Sequence, residues 1–262
     1  MIEIALCLAI IGFALLSILL VLPSGMNTQR QTREETIISS DASMLLEAIR
    51  NGSRGLDDLT NNVYAITNYT TQFNNQGQSV QTIIAGYTYT SGVWDSGPDN
   101  SMVITNGQRI IGILSTPEFT TGFPHNPNAQ PMTYIFGNGY YSNHVVAYVR
   151  SFSGLAAEKP PQNNQIMQED TFSYRLLCVN APMAMNTNAP APPYPSYAAQ
   201  LAANLRELRL TFLWPQLPNG NVGNFRQTFR ADIGGNLTLT NDLFGMPLYF
   251  YQSQSFSTNN AP

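Results

Sequence analysis

IALCLAIIGFALLSILLVL, residues Ile4 to Leu22, runs nineteen residues without a charge. Only Gly12 and Ser17 interrupt its large apolar or alanine side chains. As an α-helix it spans roughly 28 Å at about 1.5 Å per residue, close to the ~30 Å hydrocarbon core of a bilayer. Apolar residues surround the helix axis instead of marking one stripe, so the helix needs lipid or a protein bundle around it. A cleavable secretory signal would carry positive charge ahead of a shorter apolar core, whereas Met1-Ile2-Glu3 places a negative one there. A membrane anchor fits the length but leaves Glu3 unexplained, because a carboxylate taken out of water costs several kcal/mol unless partnered. In a third reading, subunits stack with staggered helices, and Glu3 of one copy neutralises the terminal amine of its neighbour. A shift of register would strand both charges, so the pair would set the stagger.

Outward from that run the pattern changes twice. After Pro23-Ser24-Gly25, the residues Ile37, Ile38, Met44, Leu45, Ala48 and Ile49 recur at three- and four-residue spacing, with charges between them. The helix is therefore predicted to continue as an amphipathic segment to about Arg50, closed by Asn51-Gly52. Pro23 removes one backbone hydrogen bond and should bend or loosen the helix there. Beyond Gly55 the period moves toward two. Val80–Thr90, Ser101–Thr105, Gln108–Leu114, His144–Phe152, Thr171–Asn180, Glu207–Trp214, Phe225–Ile233 and Met246–Phe256 read as strands, and Leu56–Tyr64 and Tyr197–Arg206 as short helices. The expected class is α+β: a long N-terminal helix packed on a mainly antiparallel, β-rich domain with long Pro/Asn-rich loops. Its expected parts are 1–25 (apolar half of the helix), 26–52 (amphipathic half) and 53–262 (outer domain).

The N-terminal 25 residues resemble the N-terminal helix of bacterial type IV pilins and secretion pseudopilins. In that family a leader is removed after a glycine, a glutamate is fifth in the mature chain, and a helix-loosening glycine follows it by nine residues. Glu3 and Gly12 show that spacing, and Pro23 lies somewhat later than the family's proline. With the glutamate third instead of fifth, the resemblance implies a mature chain beginning two residues before Met1. It also implies register-setting roles for Glu3, Gly12 and Pro23, and packing in a filament core by Ile4, Leu8, Ile11, Leu15, Ile18 and Leu22. Leu205–Ile233, with its WPQLPNG stretch followed by RQTFR, resembles the tail of pilin-like proteins of verrucomicrobial gene cassettes. Physically it is a strand, a Pro-Asn-Gly turn and a return strand.

Two loops are rich in proline. Thr116–Pro131 carries four prolines and Ala181–Tyr197 five, which favours extended conformations and excludes sheet interior. The second, with Pro190, Pro192, Pro193, Tyr194 and Tyr197, is either a surface loop or an arm laid on a neighbouring subunit.

Composition narrows the function. Charged residues are only 11% of the chain, and a single lysine, Lys159, faces eleven arginines. A net charge of −4 with scattered arginines argues against a nucleic-acid partner. Cys7 and Cys178 lie at membrane depth and in the outer domain, so no intramolecular disulfide is expected. His125 and His144 lack the spacing of a zinc site, and no nucleophile elbow, phosphate-binding loop or zinc-protease motif is present. Asp95 and Asp99 sit in an Asx-rich turn that is a weak calcium candidate without a full binding-loop pattern. Asn51, Asn68 and Asn236 match the N-glycosylation pattern, as chance allows in a chain so rich in Asn and Thr.

The expectation is a non-enzymatic filament subunit without cofactor. It would reside in the inner membrane as a precursor and then at the cell surface, with itself, a prepilin peptidase and an assembly ATPase as partners implied by the resemblance. Two alternatives stand: a minor pilin or pseudopilin, and a membrane-anchored extracytoplasmic domain that binds glycans or another ligand.

Overall fold

In the computed structural model, the described residues are 2–52, 59–73, 78–88, 102–104, 106–120, 140–153, 172–183, 204–217, 220–241, 247–252 and 255–256. Helix α1 is Ile2–Asn51, 50 residues and so about 75 Å long. Helical geometry continues through Pro23. The helix stops where Gly52 turns into the left-handed region at φ 66° and its N–H reaches back to the Ile49 carbonyl. In the first 32 described residues of α1, no side chain is buried; Glu34, Ile38, Asp41, Ala42, Leu45, Ala48 and Ile49 then form one buried stripe at helical spacing.

The stripe lies against an eight-stranded sheet. Its strands are β1 (Val63–Phe73), β2 (Ser79–Thr88), β3 (Met102–Val103), β4 (Phe119–Thr120), β5 (Tyr140–Arg150), β6 (Ser173–Pro182), β7 (Leu205–Gln216) and β8 (Val222–Gly234). The order is β3-β2-β1-β5-β6-β7-β8, with β4 also paired to β5, and every pairing is antiparallel except β2 with β3. A separate hairpin joins β9 (Asn236–Asn241) to β10 (Pro247–Gln252). The fold is thus α+β, a long helix on a mostly antiparallel sheet.

Alternation along the strands assigns the two sheet faces. Val145, Ala147 and Val149 of β5, Tyr174, Leu176 and Cys178 of β6, and Leu208, Leu210, Phe212 and Trp214 of β7 are buried and form the core with the α1 stripe. A short helix α2 (Leu59–Asn62) and helix α3 (Gly107–Leu114) complete that layer. Tyr174 and Phe212 meet at 5.1 Å between ring centres, and Phe229 meets Phe212 edge-on at 5.5 Å.

Several expectations change. Gln108–Leu114, read as a strand from its isoleucines, is helix α3. Asn106 caps it by accepting from Arg109 N–H at 2.9 Å, and its eight residues are too few to separate a helical from a strand period. Of the expected helix Leu56–Tyr64, the described part is helical only over Leu59–Asn62; Val63 and Tyr64 already belong to β1, whose register slips beside β5 between Val63 and Ala65. The helix expected over Tyr197–Arg206 gives way to strand from Leu205. β4 falls inside the stretch Thr116–Pro131 expected to be loop, and neither β1 nor β9 is among the strands expected from the sequence. The Leu205–Ile233 hairpin forms as expected: β7 and β8 pair from Leu205↔Gly234 to Gln216↔Val222, closed by Leu217 and by Gly220 at φ 80°.

Candidate assembly surface

The first half of α1 is a projecting stalk. From Ile2 to Arg33 it extends about 48 Å beyond the first buried residue, Glu34. Its most apolar window has a mean hydropathy of 3.0, and none of that window is buried. Fourteen large apolar side chains from Ile2 to Leu22 are each more than half exposed. At roughly 1.5–3 kcal/mol for each such side chain kept in water, this surface outweighs the roughly 5–15 kcal/mol that stabilises a folded domain. It must be covered by lipid or by other helices. A long apolar N-terminal helix of this kind, followed by an antiparallel sheet, is consistent with membrane anchoring and with a pilin-like architecture.

The expected assembly residues all lie on this stalk. Glu3 is in the first turn, Gly12 and Pro23 are inside the exposed half, and Ile4, Leu8, Ile11, Leu15, Ile18 and Leu22 are exposed by 52–67%. Gly12 has nothing within 4 Å of the position a Cβ would occupy, so no contact within the chain requires a glycine there. Asp95, Asp99, Pro190, Pro192, Pro193, Tyr194, Tyr197 and His125 lie outside the described residues. His144 is exposed on β5 and pairs across the strand with Tyr69. Among the described residues no cluster of three metal-ligating side chains occurs.

A buried carboxylate adds to the apolar stripe in holding the stalk to the domain. Asp41 is fully buried and accepts from Phe152 N–H at 3.1 Å, Ser153 Oγ at 2.7 Å and Tyr174 OH at 3.1 Å. It thereby ties α1 to β6 and to the segment after β5. Burial raises the Asp41 carboxyl above its ordinary value of 3.8, and its hydrogen-bond donors pull it part of the way back. Burial and the neighbouring Asp41 charge push the Tyr174 phenol well up. Asp41 is in phase with Ile38 and Leu45 on the buried side of α1. Where the stalk enters the domain, Arg30 pairs with Glu34 at 2.8 Å one turn on. Arg30 is 74% exposed, so the pair contributes only a few tenths of a kcal/mol.

Buried amides staple the remaining layer. Asn180 donates to the Ser115 carbonyl at 2.6 Å and accepts from Tyr251 OH at 2.6 Å, joining α3, β6 and β10. Asn143 donates to the Pro117 carbonyl and Thr120 Oγ1 and accepts from Thr70 and Asn68. Asn68 is therefore a 97% buried strand residue, and its match to the glycosylation pattern is fortuitous. Cys7 and Cys178 are both free thiols; Cys178 donates to the Leu114 carbonyl at 3.0 Å, and burial pushes its thiol up to about 12.

The opposite sheet face carries partly exposed arginines on tyrosines. Arg150 sits 4.8 Å over the Tyr64 ring and Arg175 5.1 Å over the Tyr148 ring, and the two rings meet at 6.1 Å. Burial raises both phenols, so the rings stay neutral beside their guanidiniums. No protein-family model, no curated protein and no solved structure matches this chain.

Proposed function

We propose that the chain is a structural subunit of a type IV pilus-like surface filament that polymerises through the apolar half of α1. The observation carrying this reading is the stalk: about 48 Å of helix, apolar on every side, attached to a domain that packs only the helix's second half. Lipid covers such a surface in a precursor held in the inner membrane. Neighbouring stalks cover it equally well in a bundle. Glu3, at the start of the run, supplies the register in the second case, because its carboxylate within a helix bundle needs a neighbour's terminal amine. Maturation by a prepilin peptidase and extraction from the membrane by an assembly ATPase complete the proposal, and the chain itself performs no chemistry.

Electron microscopy of filaments sheared from native cells, with mass spectrometry of their main band, tests this. Abundant filaments built chiefly from this chain are expected, and Glu3→Ala should leave the protein in the membrane while reducing filaments at least about tenfold, as loss of a buried ion-pair partner predicts. Bare cells with a low-copy, membrane-confined protein would refute the filament subunit in favour of a minor pilin, a pseudopilin or an anchored binding domain.

A further inference from the structure

The sheet face turned away from α1 collects charge that the sequence disperses. Five of the eleven arginines stand on it: Arg150, Arg175, Arg209, Arg226 and Arg230. Strand register divides them into two groups. Tyr148 pairs with Arg175, Arg175 with Leu213 and Leu213 with Arg226, giving one row across four strands, with Arg150 two residues along β5 from Tyr148. Nearer the other end, Arg209 lies beside Glu118 and Glu207 at 3.9 and 3.7 Å, and Arg230 beside Glu207 at 3.6 Å. That end has no excess of positive charge, because Asp232 also stands opposite Glu207 on the same face. The first does, since among the described residues Arg150, Arg175 and Arg226 have no carboxylate partner.

The unbalanced end is also organised. Two of the guanidiniums lie over tyrosine rings, a cation–π contact that restricts where they can sit. Arg175 donates one N–H to the Gly220 carbonyl at 2.6 Å, and its buried Nε has no partner. Arg226 is exposed. Arg175 and Arg226 are two strands apart, about 10 Å at the usual strand spacing. Such an array suits planar anions repeated along an extended chain, each accepting two N–H groups from one guanidinium. Stacked bases are a poorer match, because these rings are already occupied by guanidiniums.

We propose that the Arg150–Arg175–Arg226 end of the outer sheet face binds an acidic polysaccharide through the carboxylates of its uronic acid units. The face lies across the sheet from α1, so a bundle of stalks turns it toward the surroundings instead of toward another copy. That outward placement rests on the filament reading; the binding chemistry does not.

The test uses the full chain as a detergent-solubilised monomer, titrated by calorimetry with an oligogalacturonate and with a neutral maltooligosaccharide of equal length. The oligogalacturonate should bind, with affinity falling as salt rises, and the neutral sugar should not. Arg226→Gln, which removes an exposed and unpartnered group, should weaken binding about fivefold, and Arg175→Gln with Arg226→Gln at least about thirtyfold. Arg230→Gln, at the balanced end, should stay within about twofold. Arg175→Lys should recover only part of the loss, because a lysine keeps the charge and not the planar fork of N–H donors. Equal binding of the neutral sugar, unchanged affinity in the double variant, or tighter binding of a polyglutamate peptide or of oligo-dT would overturn the proposal. Because the readout is on monomers, it succeeds or fails independently of whether filaments are seen on cells.

Discussion

Removing the Asp41 carboxylate should loosen the grip of the outer domain on its helix. In Asp41→Ala the Tyr174 hydroxyl is left fully buried without an acceptor, while Phe152 N–H and Ser153 Oγ are partly buried. A stranded buried donor costs about 1–3 kcal/mol, and the two partly buried ones less because water reaches them. Against this stands relief of the carboxylate's own burial, which is what raises its pKa. The balance is a loss of about 2–4 kcal/mol, a large part of a typical domain's stability. Asp41→Asn should cost about 1 kcal/mol, since one oxygen still accepts and the Ser153 hydroxyl can turn to accept from the new amide. Urea unfolding of the detergent-solubilised chain, followed by fluorescence of the buried Trp214, measures both. The pH dependence has a defined sign. With its folded pKa raised above 3.8, Asp41 makes the native state hold the proton more tightly than the unfolded chain. Its contribution is therefore fullest at low pH and is lost as pH rises through the raised value, so wild type should gain on Asp41→Asn as pH falls toward 4. An Asp41→Ala variant within about 0.5 kcal/mol of wild type would refute the anchoring argument.

Further outcomes follow from individual contacts. Gly112→Ala places a Cβ 2.8 Å from Leu248 Cβ and 2.9 Å from the Phe250 ring, and should cost about 1–3 kcal/mol in the same unfolding assay. Gly12→Ala meets nothing within 4 Å, so the domain's unfolding midpoint should not move; any loss of filaments in that variant then reports contact between copies. Cys178, 2% exposed with its thiol raised to about 12, should resist maleimide in the folded chain and react once urea unfolds it, as mass spectrometry of the labelled peptide would show.

Much of the architecture was legible because it rests on local periodicity. An uncharged nineteen-residue run announces a helix that needs surrounding, and the spacing of Ile38, Leu45 and Ile49 shows which side of its continuation meets the domain. The Pro-Asn-Gly stretch ending at Gly220 marks the β7–β8 turn because proline and glycine constrain the backbone wherever they stand. Local pattern misled where an element was short. α3 has only eight residues, with four large apolar ones among its last five, so its spacing could be read with either period; the Asn106 cap was the local sign of a helix.

An apolar stalk and a β-rich domain follow from the residues alone, since hydrophobic period and turn chemistry are properties of neighbouring residues. That Asp41 is an internal anchor, and that Arg150, Arg175 and Arg226 share one surface, comes only from how the chain folds back on itself. Those residues are brought together by strand register across four strands, and register is set by long-range pairing that no local window contains.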